Sequence, residues 1–306
     1  MNTPTKVTAF AVGLAAVFAA AAGIGTLTGP VGTASSATAP AEHADEPGAE
    51  HGAGHDPAGD AAADAAHLPG GLMVAQDGYR LDLGQRQPTA ADDVPLTFRI
   101  LGPDGSPLTR YRTEHGQDLH LIVVRRDLAD YQHVHPALAA DGTWSVPVDL
   151  SDPGVYRVFA DFTPADRADG LTLGTDLSVA GNYRPLPLPA VSRTAEVDGY
   201  TVTLDGELMP GEESELTLSV SRDGRPVTDL QPYLEAYGHL VALRDGDLAY
   251  LHVHPLGSPG DGTTAPGPTV TFAAEVPSEG AYRLFLDFRH GDEVRTAEFT
   301  ATTTGG

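Results

Sequence analysis

The sequence contains no cysteine and few basic or aromatic residues. Without cysteine the chain can form no disulfide, no thiolate metal site and no cysteine-linked lipid anchor. Lys and Arg number 18 against 42 Asp and Glu, so the chain lacks the basic face that phosphate binding requires, and a nucleic-acid partner is disfavoured. Aromatic residues make up 7% of the chain, whereas 35 Gly and 25 Pro indicate many turns and short strands.

Long hydrophobic runs are also rare, and the one that stands out lies near the N-terminus, from Val7 to Leu27. It is nearly uncharged, rich in alanine and long enough to span a bilayer, and the basic residue Lys6 precedes it. The small residues of "TASSATA" also fit cleavage of a secretory signal after Ala37. Residues 1–39 are therefore interpreted as a signal peptide or a membrane anchor. Both interpretations place the rest of the chain outside the cytoplasm, either secreted or anchored to the cell envelope.

Residues 40–68 are acidic, low in complexity and free of aromatic side chains. Such a segment cannot bury enough apolar surface to fold, so the sequence predicts a disordered tether. Four histidines lie among its carboxylates and belong either to a weak metal-scavenging tail or to an inert spacer: His43, His51, His55 and His67.

The remainder of the chain contains an internal repeat. The stretch "GVYRVFADF" at 154–162 returns as "GAYRLFLDF" at 280–288, and other motifs recur in the same order. This indicates a tandem duplication of one domain, with the Pro-rich "NYRPLPLPA" at the join. Residues 69–181 and 182–303 are thus predicted to adopt the same fold.

The repeats show the sequence pattern of β-sandwiches. Short β-rich runs such as "HLIVV", "YTVTL" and "ELTLSV" are separated by Asp-Gly turns, and no amphipathic helix of useful length follows the N-terminal segment. A Gly-x-Tyr motif begins at Gly154 and at Gly280, and it is similar to the tyrosine corner of Greek-key sandwiches. The predicted fold class is all-β, with two tandem immunoglobulin-like β-sandwich domains.

Each repeat carries three histidines at the same spacing, the last two within "YQHVHP" or "YLHVHP". The first set and the second set lie 119 positions apart: His120, His133 and His135, then His239, His252 and His254. The stretch "HLVALRDGDLAYLHVH" is typical of a β-hairpin with a four-residue loop between Arg244 and Ala249. In that register His239 lies opposite His254, and His252 faces Val241. Because side chains two apart in a strand share a face, the three imidazoles of each set are predicted to converge.

Three neutral imidazoles suit Zn²⁺, Cu²⁺ or Ni²⁺ and leave a coordination position open. Met73 and Met209 do not occupy matching places in the repeat, which argues against a methionine-based Cu⁺ site. Asp161 and Asp287 do match, and they either orient a histidine or act as solvated or arginine-paired carboxylates. Each set is expected to form a site that is independent of the other repeat.

The alternative is that the histidines are structural. On the proposed face they lie beside Ile122 and Val124, and the opposite side of the same strand is apolar as well. Buried histidines that bond to the backbone or to tyrosines would then stabilise one corner of the sandwich. His115 and His290 have no counterpart in the other repeat and are interpreted as surface residues.

The stretches "HLVALRDGDLAYLHVHP" and "GAYRLFLDF" resemble segments of bacterial heavy-metal-binding-domain (YtkA-like) proteins. The resemblance covers the hairpin and the Gly-x-Tyr strand of each repeat. It implies a small extracytoplasmic immunoglobulin-type sandwich, secreted or tethered to the membrane.

The leading hypothesis is a non-enzymatic extracytoplasmic protein that binds one divalent transition metal, Cu or Zn, in each repeat. Sequestration, delivery or sensing of the metal would be its role, with envelope metal-handling proteins as partners and the membrane reached through an uncleaved N-terminal segment. The alternative is a structural or adhesion-type interaction module. An open three-histidine site could activate water, but the sequence shows no nucleophile with its base and no phosphate-binding loop.

Overall fold

The computed structural model describes residues 68–304. The predicted signal peptide or anchor, and all of the predicted tether except its last residue, lie outside the described residues. The described chain consists of antiparallel strands and loops without an α-helix, so no helix in this part could cross a membrane. The predicted all-β class is confirmed.

The first repeat contains ten of the described strands. They are β1 (Ala75–Gln76), β2 (Tyr79–Leu83), β3 (Val94–Leu101), β4 (Tyr111–Arg112), β5 (His120–Arg125), β6 (Gln132–Val134), β7 (Ala137–Leu138), β8 (Thr143–Val148), β9 (Gly154–Pro164) and β10 (Leu171–Val179). One sheet has the order β1-β2-β3-β8-β7, and the facing sheet has the order β10-β9-β5-β6, with β4 paired to β9.

The second repeat contains the other nine. They are β11 (Thr194–Val197), β12 (Tyr200–Asp205), β13 (Glu213–Arg222), β14 (Arg225–Pro226), β15 (His239–Arg244), β16 (Tyr250–Pro255), β17 (Thr269–Glu275), β18 (Ala281–His290) and β19 (Glu293–Thr302). Their order is β11-β12-β13-β17-β16-β15-β18-β19, with β14 paired to β13. Strand β16 pairs with β15 and then, at His254 and Pro255, with β17, so it links the two layers. In the first repeat the corresponding segment is divided into β6 and β7.

Each sandwich has its own hydrophobic core. In the first repeat the core includes Phe98, Trp144 and Leu121, and in the second it includes Phe272 and Phe299. The tyrosine corners predicted from Gly-x-Tyr are present in both. The Tyr156 hydroxyl donates to the Asp152 carbonyl at 2.8 Å, and the Tyr282 hydroxyl donates to the Ser278 carbonyl at 2.8 Å. The two tandem immunoglobulin-like sandwiches are therefore confirmed.

A third hydrophobic cluster lies where the two repeats pack against each other, within one compact unit. On β5, Leu121 and Val123 face the core of the first sandwich, whereas Ile122 and Val124 face the second repeat. This alternation accounts for a strand that is buried along its whole length. We refer to this contact region as the repeat interface; it contains Ile122, Val124, Leu128, Phe159, Val241, Leu243, Leu248, Tyr250 and Phe285, with Tyr131 and Leu188 packed against it.

Aromatic pairs cross the repeat interface in both directions. The Tyr131 ring stacks on Phe285 with centroids 3.9 Å apart and an interplanar angle of 4°. The equivalent pair, Tyr250 and Phe159, has centroids 5.4 Å apart and an angle of 36°. Equivalent residues thus exchange roles across the interface, which is the arrangement of an approximate twofold axis.

The two interface tyrosines differ in their hydroxyl groups, and this predicts different costs of removal. The Tyr131 hydroxyl is buried and has no hydrogen-bond partner among the described residues, whereas the Tyr250 hydroxyl donates to Asp161 Oδ2 at 3.3 Å. Because an unpaired buried hydroxyl is unfavourable, Tyr131→Phe is expected to leave stability unchanged or to raise it by up to about 1 kcal/mol. Tyr250→Phe is expected to cost about 1 kcal/mol, and urea unfolding of both variants measures the difference. Equal effects would contradict the assignment.

The segment between the sandwiches follows the surface of the molecule without forming a strand. The Leu186 amide donates to Asp127 Oδ2 at 2.8 Å, and Leu188 packs on the repeat interface. Asp127 is itself held by Arg125, whose Nε lies 2.8 Å from its Oδ1. The Pro-rich join is therefore docked on the β5–β6 hairpin at these positions.

Candidate metal centre

The register of the two histidine hairpins is the one that the sequence predicts. His133 pairs with Ile122 in the first repeat, and His252 pairs with Val241 in the second. The Arg244 amide donates to the Ala249 carbonyl at 3.1 Å and closes the four-residue loop. His133 lies opposite Ile122, which is two residues from His120 and therefore on the same side of β5. The histidines of β5 and β6 thus share one side of the hairpin, and that side is the one at the repeat interface.

The structure brings the first set together. His120, His133 and His135 each offer one ring nitrogen, and these three atoms lie within 4.8 Å of one another. His120 Nδ1 is 3.1 Å from His133 Nε2 and 3.2 Å from His135 Nε2. Three nitrogens that share an ion at 2.0–2.1 Å in tetrahedral geometry would be separated by roughly 3.3–3.4 Å. The two separations that involve His120 Nδ1 are therefore close to those expected around a bound ion.

Two of the three rings are oriented by their second nitrogen. His120 Nε2 is 3.2 Å from the Glu114 carbonyl, which can only accept, so this nitrogen carries the proton. His133 Nδ1 lies 2.7 Å from Asp287 Oδ2 and donates to that carboxylate. In the neutral rings, His120 Nδ1 and His133 Nε2 then carry lone pairs that face each other. Such opposed lone pairs are favourable only with a cation or an additional proton between them.

The electrostatics favour neutral imidazoles at His120 and His135. Burial, followed by repulsion from His133, lowers the pKa of His120 to about 3. Burial and repulsion from His133 and His239 lower the pKa of His135 to about 4. Since a metal ligand must be the unprotonated ring, both histidines are ready to bind an ion at neutral pH without losing a proton.

Asp287 supplies the carboxylate beside this set, although it belongs to the second repeat. Its side chain is buried, and its Oδ1 accepts a hydrogen bond from Thr296 Oγ1 at 2.6 Å. The interpretation of Asp287 as a solvated or arginine-paired carboxylate is wrong, because its partners are His133 and Thr296. The equivalent Asp161 accepts from Thr172 Oγ1 at 3.0 Å and from Tyr250 across the interface.

The second set is described in part. His239 is buried, and its Nε2 donates to the carbonyls of Tyr233 at 2.9 Å and Leu234 at 3.0 Å, as His120 Nε2 does to Glu114. Burial lowers the pKa of His239 to about 4 against the opposing effect of the Tyr233 carbonyl. His252 and His254 occupy the predicted backbone positions in β16, and their side chains lie outside the described part of the structure.

The expected independence of the first set from the other repeat does not extend to its surroundings. The ring of His239 lies 6.5 Å from that of His133 between centroids, and Asp287 bonds directly to His133. The three candidate ligands all come from the first repeat, but the surface that encloses them comes from both. The sequence could not show this, because hairpin periodicity identifies a face without identifying what covers it.

His115 and His290 are not simple surface residues. His115 occupies a two-residue turn with a φ of 50°, and its ring lies 5.3 Å from that of His239 and 6.2 Å from that of His120. His290 Nδ1 lies 2.6 Å from the hydroxyl of the buried Tyr200. Sequence reasoning missed His115 because the equivalent position in the second repeat is Leu234; its place in the turn just before His120 was the available signal.

Comparison with known proteins gives one family. A family model described as a domain of unknown function, DUF8832, matches residues 74–177 and 195–305, which is more than half of the chain. The chain belongs to the DUF8832 family. Its two matched segments correspond to the two sandwiches of this DUF8832 protein, and the unmatched residues between them include the Pro-rich join. No curated protein matches the chain.

Several solved structures are similar to this DUF8832 protein at a low level. The Escherichia coli adhesin FdeC is 14% identical with a TM-score of 0.24, over 76% of this chain and 65% of the adhesin. Salmonella alpha-2-macroglobulin is 13% identical with a TM-score of 0.25, over 78% of this chain and 15% of that one. A putative membrane anchored protein from Corynebacterium diphtheriae is 11% identical with a TM-score of 0.23, over 76% and 60%. The chain spans less than two thirds of each, and similarities at this level carry no argument about function.

Proposed function

We propose that this DUF8832 protein is an extracytoplasmic, non-enzymatic metal-binding protein that holds Cu²⁺ or Zn²⁺ through His120, His133 and His135. A second ion would be held by His239, His252 and His254. The role of the protein is to sequester, deliver or sense the metal in the cell envelope. The observation that carries the proposal is the convergence of three ring nitrogens, two of which are left unprotonated by the hydrogen bonds of the opposite nitrogens.

A placement outside the cytoplasm is supported by the apolar segment from Val7 to Leu27.

The second candidate function is an adhesion-type or structural module in which the histidines only stabilise the fold. The contact between His133 and Asp287 favours it, because an imidazolium at His133 would pair with that carboxylate and place a proton against His120 Nδ1. In this case the cluster is complete without a metal, and the repeat interface contains a buried ion pair.

Counting bound ions separates the two candidates. Untagged protein lacking residues 1–68 is expected to retain up to two Zn²⁺ or Cu²⁺ per chain, measured by elemental analysis after removal of free metal. His135→Gln is expected to lose one ion. Among the described residues, His135 is the ligand of the first set whose ring bonds to neither a carbonyl nor a carboxylate, so its replacement disturbs the structure least. Because a bound metal favours the folded state, added Zn²⁺ should also raise the melting temperature of the wild type more than that of the variant.

His290→Gln is the matched control, since it removes a half-buried histidine that lies outside both sets. It is expected to keep the ion count of the wild type. No bound metal in the wild type, together with a melting temperature that metal does not change, would favour the structural module.

A further inference from the structure

Asp287 stands beside one histidine of its own repeat along the sheet but bonds to a histidine of the other repeat. In the β15–β18 ladder it is the backbone partner of His239. Its carboxylate oxygens accept hydrogen bonds from His133 Nδ1 at 2.7 Å and from Thr296 Oγ1 at 2.6 Å. The side chain is 2% exposed, so neither bond competes with bulk water. The carboxylate is thus held in one orientation, directed at His133.

A carboxylate in this position fixes the ligand atom of a histidine. When Nδ1 of the ring is the donor, Nε2 is left as the lone-pair nitrogen, and Nε2 of His133 is the atom that faces His120 Nδ1 at 3.1 Å. The carboxylate also makes the ring a stronger donor to a metal. Without it, the ring of His133 could adopt the other tautomer and turn a proton toward the other two ligands.

An equivalent contact across the repeat interface is made by the matching aspartate of the first repeat. Asp161 is the backbone partner of His120 in the β5–β9 ladder, and a threonine on the next strand, Thr172, holds its Oδ1 as Thr296 holds that of Asp287. Its Oδ2 accepts from Tyr250 of the second repeat. Both aspartates therefore reach across the repeat interface.

We propose that Asp287 of the second repeat positions His133 of the first repeat as a metal ligand, so that the first metal centre is shared between the two repeats. This rests on the proposed function and specifies how its first site is built. An ion held by His120, His133 and His135 then strengthens the contact between the sandwiches. By linkage, the docked arrangement of the sandwiches strengthens the binding of the ion by the same factor.

The test compares the two equivalent aspartates in the full chain, with His252→Gln and His254→Gln present throughout so that, of the two sets, only the first can bind metal. In this background Asp287→Asn is expected to weaken Zn²⁺ binding by about 10–100-fold, measured by competition with a chelating indicator. Asp161→Asn removes a carboxylate at the equivalent position, next to His120, and is expected to weaken binding much less, because it removes only the electrostatic effect of that carboxylate on His120. The Cu²⁺ spectrum in electron paramagnetic resonance should change in Asp287→Asn alone, a readout that a loss of stability would not move.

Failure of the proposed function and failure of the positioning role of Asp287 give different results. If the background protein binds neither Zn²⁺ nor Cu²⁺, the proposed function fails for the first set. If it binds metal but Asp287→Asn does so with unchanged affinity, or Asp161→Asn weakens binding equally, the positioning role of Asp287 is overturned and metal binding stands. Should Asp287→Asn not fold, Thr296→Val keeps the carboxylate and removes the hydroxyl that orients it; a smaller loss of affinity supports the proposal, and no loss overturns it.

Discussion

Replacing Phe285 by Ala is expected to lower the free energy of unfolding by about 3–5 kcal/mol. The side chain is fully buried, and it lies in the repeat interface, where its ring stacks on Tyr131 with centroids 3.9 Å apart. Truncation leaves a cavity between two sheets whose backbones are fixed by their own ladders, so the surroundings cannot collapse to fill it. Urea unfolding followed by circular dichroism measures the loss.

A double-mutant cycle shows whether this cost arises at the interface. Combining Phe285→Ala with Tyr131→Ala is expected to give a coupling energy of about 0.5–1.5 kcal/mol, because each ring loses the same partner. Phe285→Ala combined with Phe98→Ala is the control, since Phe98 lies in the core of the first sandwich and packs against Trp144. That pair is expected to be additive within about 0.5 kcal/mol. Additivity of the Tyr131 pair as well would mean that the two repeats do not dock through this stack.

Local features of the site were predictable from the sequence. The loop between Arg244 and Ala249 predicts the hairpin register of the second repeat, and the first repeat has the same register, with His133 opposite Ile122. The period of two then places His120, His133 and His135 on one face. These properties depend on contacts between residues that are near in the chain. The duplication adds a second instance of the same pattern, which is why the strand assignment is correct in both repeats.

The docking of the repeats was not predictable in the same way. Strand β5 is apolar on both sides, and this pattern shows that Ile122 and Val124 are covered without showing by what. The surface that covers them contains Val241, Leu243 and Phe285. Val241 and Leu243 are the second-repeat equivalents of Ile122 and Val124, and Phe285 lies beside Val241. Because a duplicated domain offers the same apolar patch twice, pairing of the patch with itself is the simplest way to bury both copies. Asp287 reaches His133 only as a result of that pairing.

In metal-free protein, stability is expected to fall steeply between pH 6.5 and about 4. The folded state lowers the pKa of His120 to about 3 and those of His135 and His239 to about 4, mainly through burial. The unfolded chain titrates near 6.5, so it binds more protons than the folded chain throughout this window. Stability due to these groups is therefore complete above pH 6.5 and is lost on acidification. Each histidine contributes about 1.4 kcal/mol per pH unit, and the three together about 4 kcal/mol per pH unit at most.

Neighbouring groups also shift the pKa values of these three rings. His133 and His135 oppose protonation of His120, and Asp161 favours it; Asp287 favours protonation of His135 and His239, and His115 opposes that of His239. Carboxyl groups, with ordinary pKa values near 4, change charge at the acid end of the window, so the slope is measured at pH 4.5 and above. Urea unfolding at pH 6.5, 5.5 and 4.5 in the presence of a chelator measures the slope, and His239→Gln should reduce it by the contribution of one proton. A stability that stays constant from pH 6.5 to 4.5 would mean that the folded and unfolded chains bind equal numbers of protons over this range, so that burial does not keep these rings neutral.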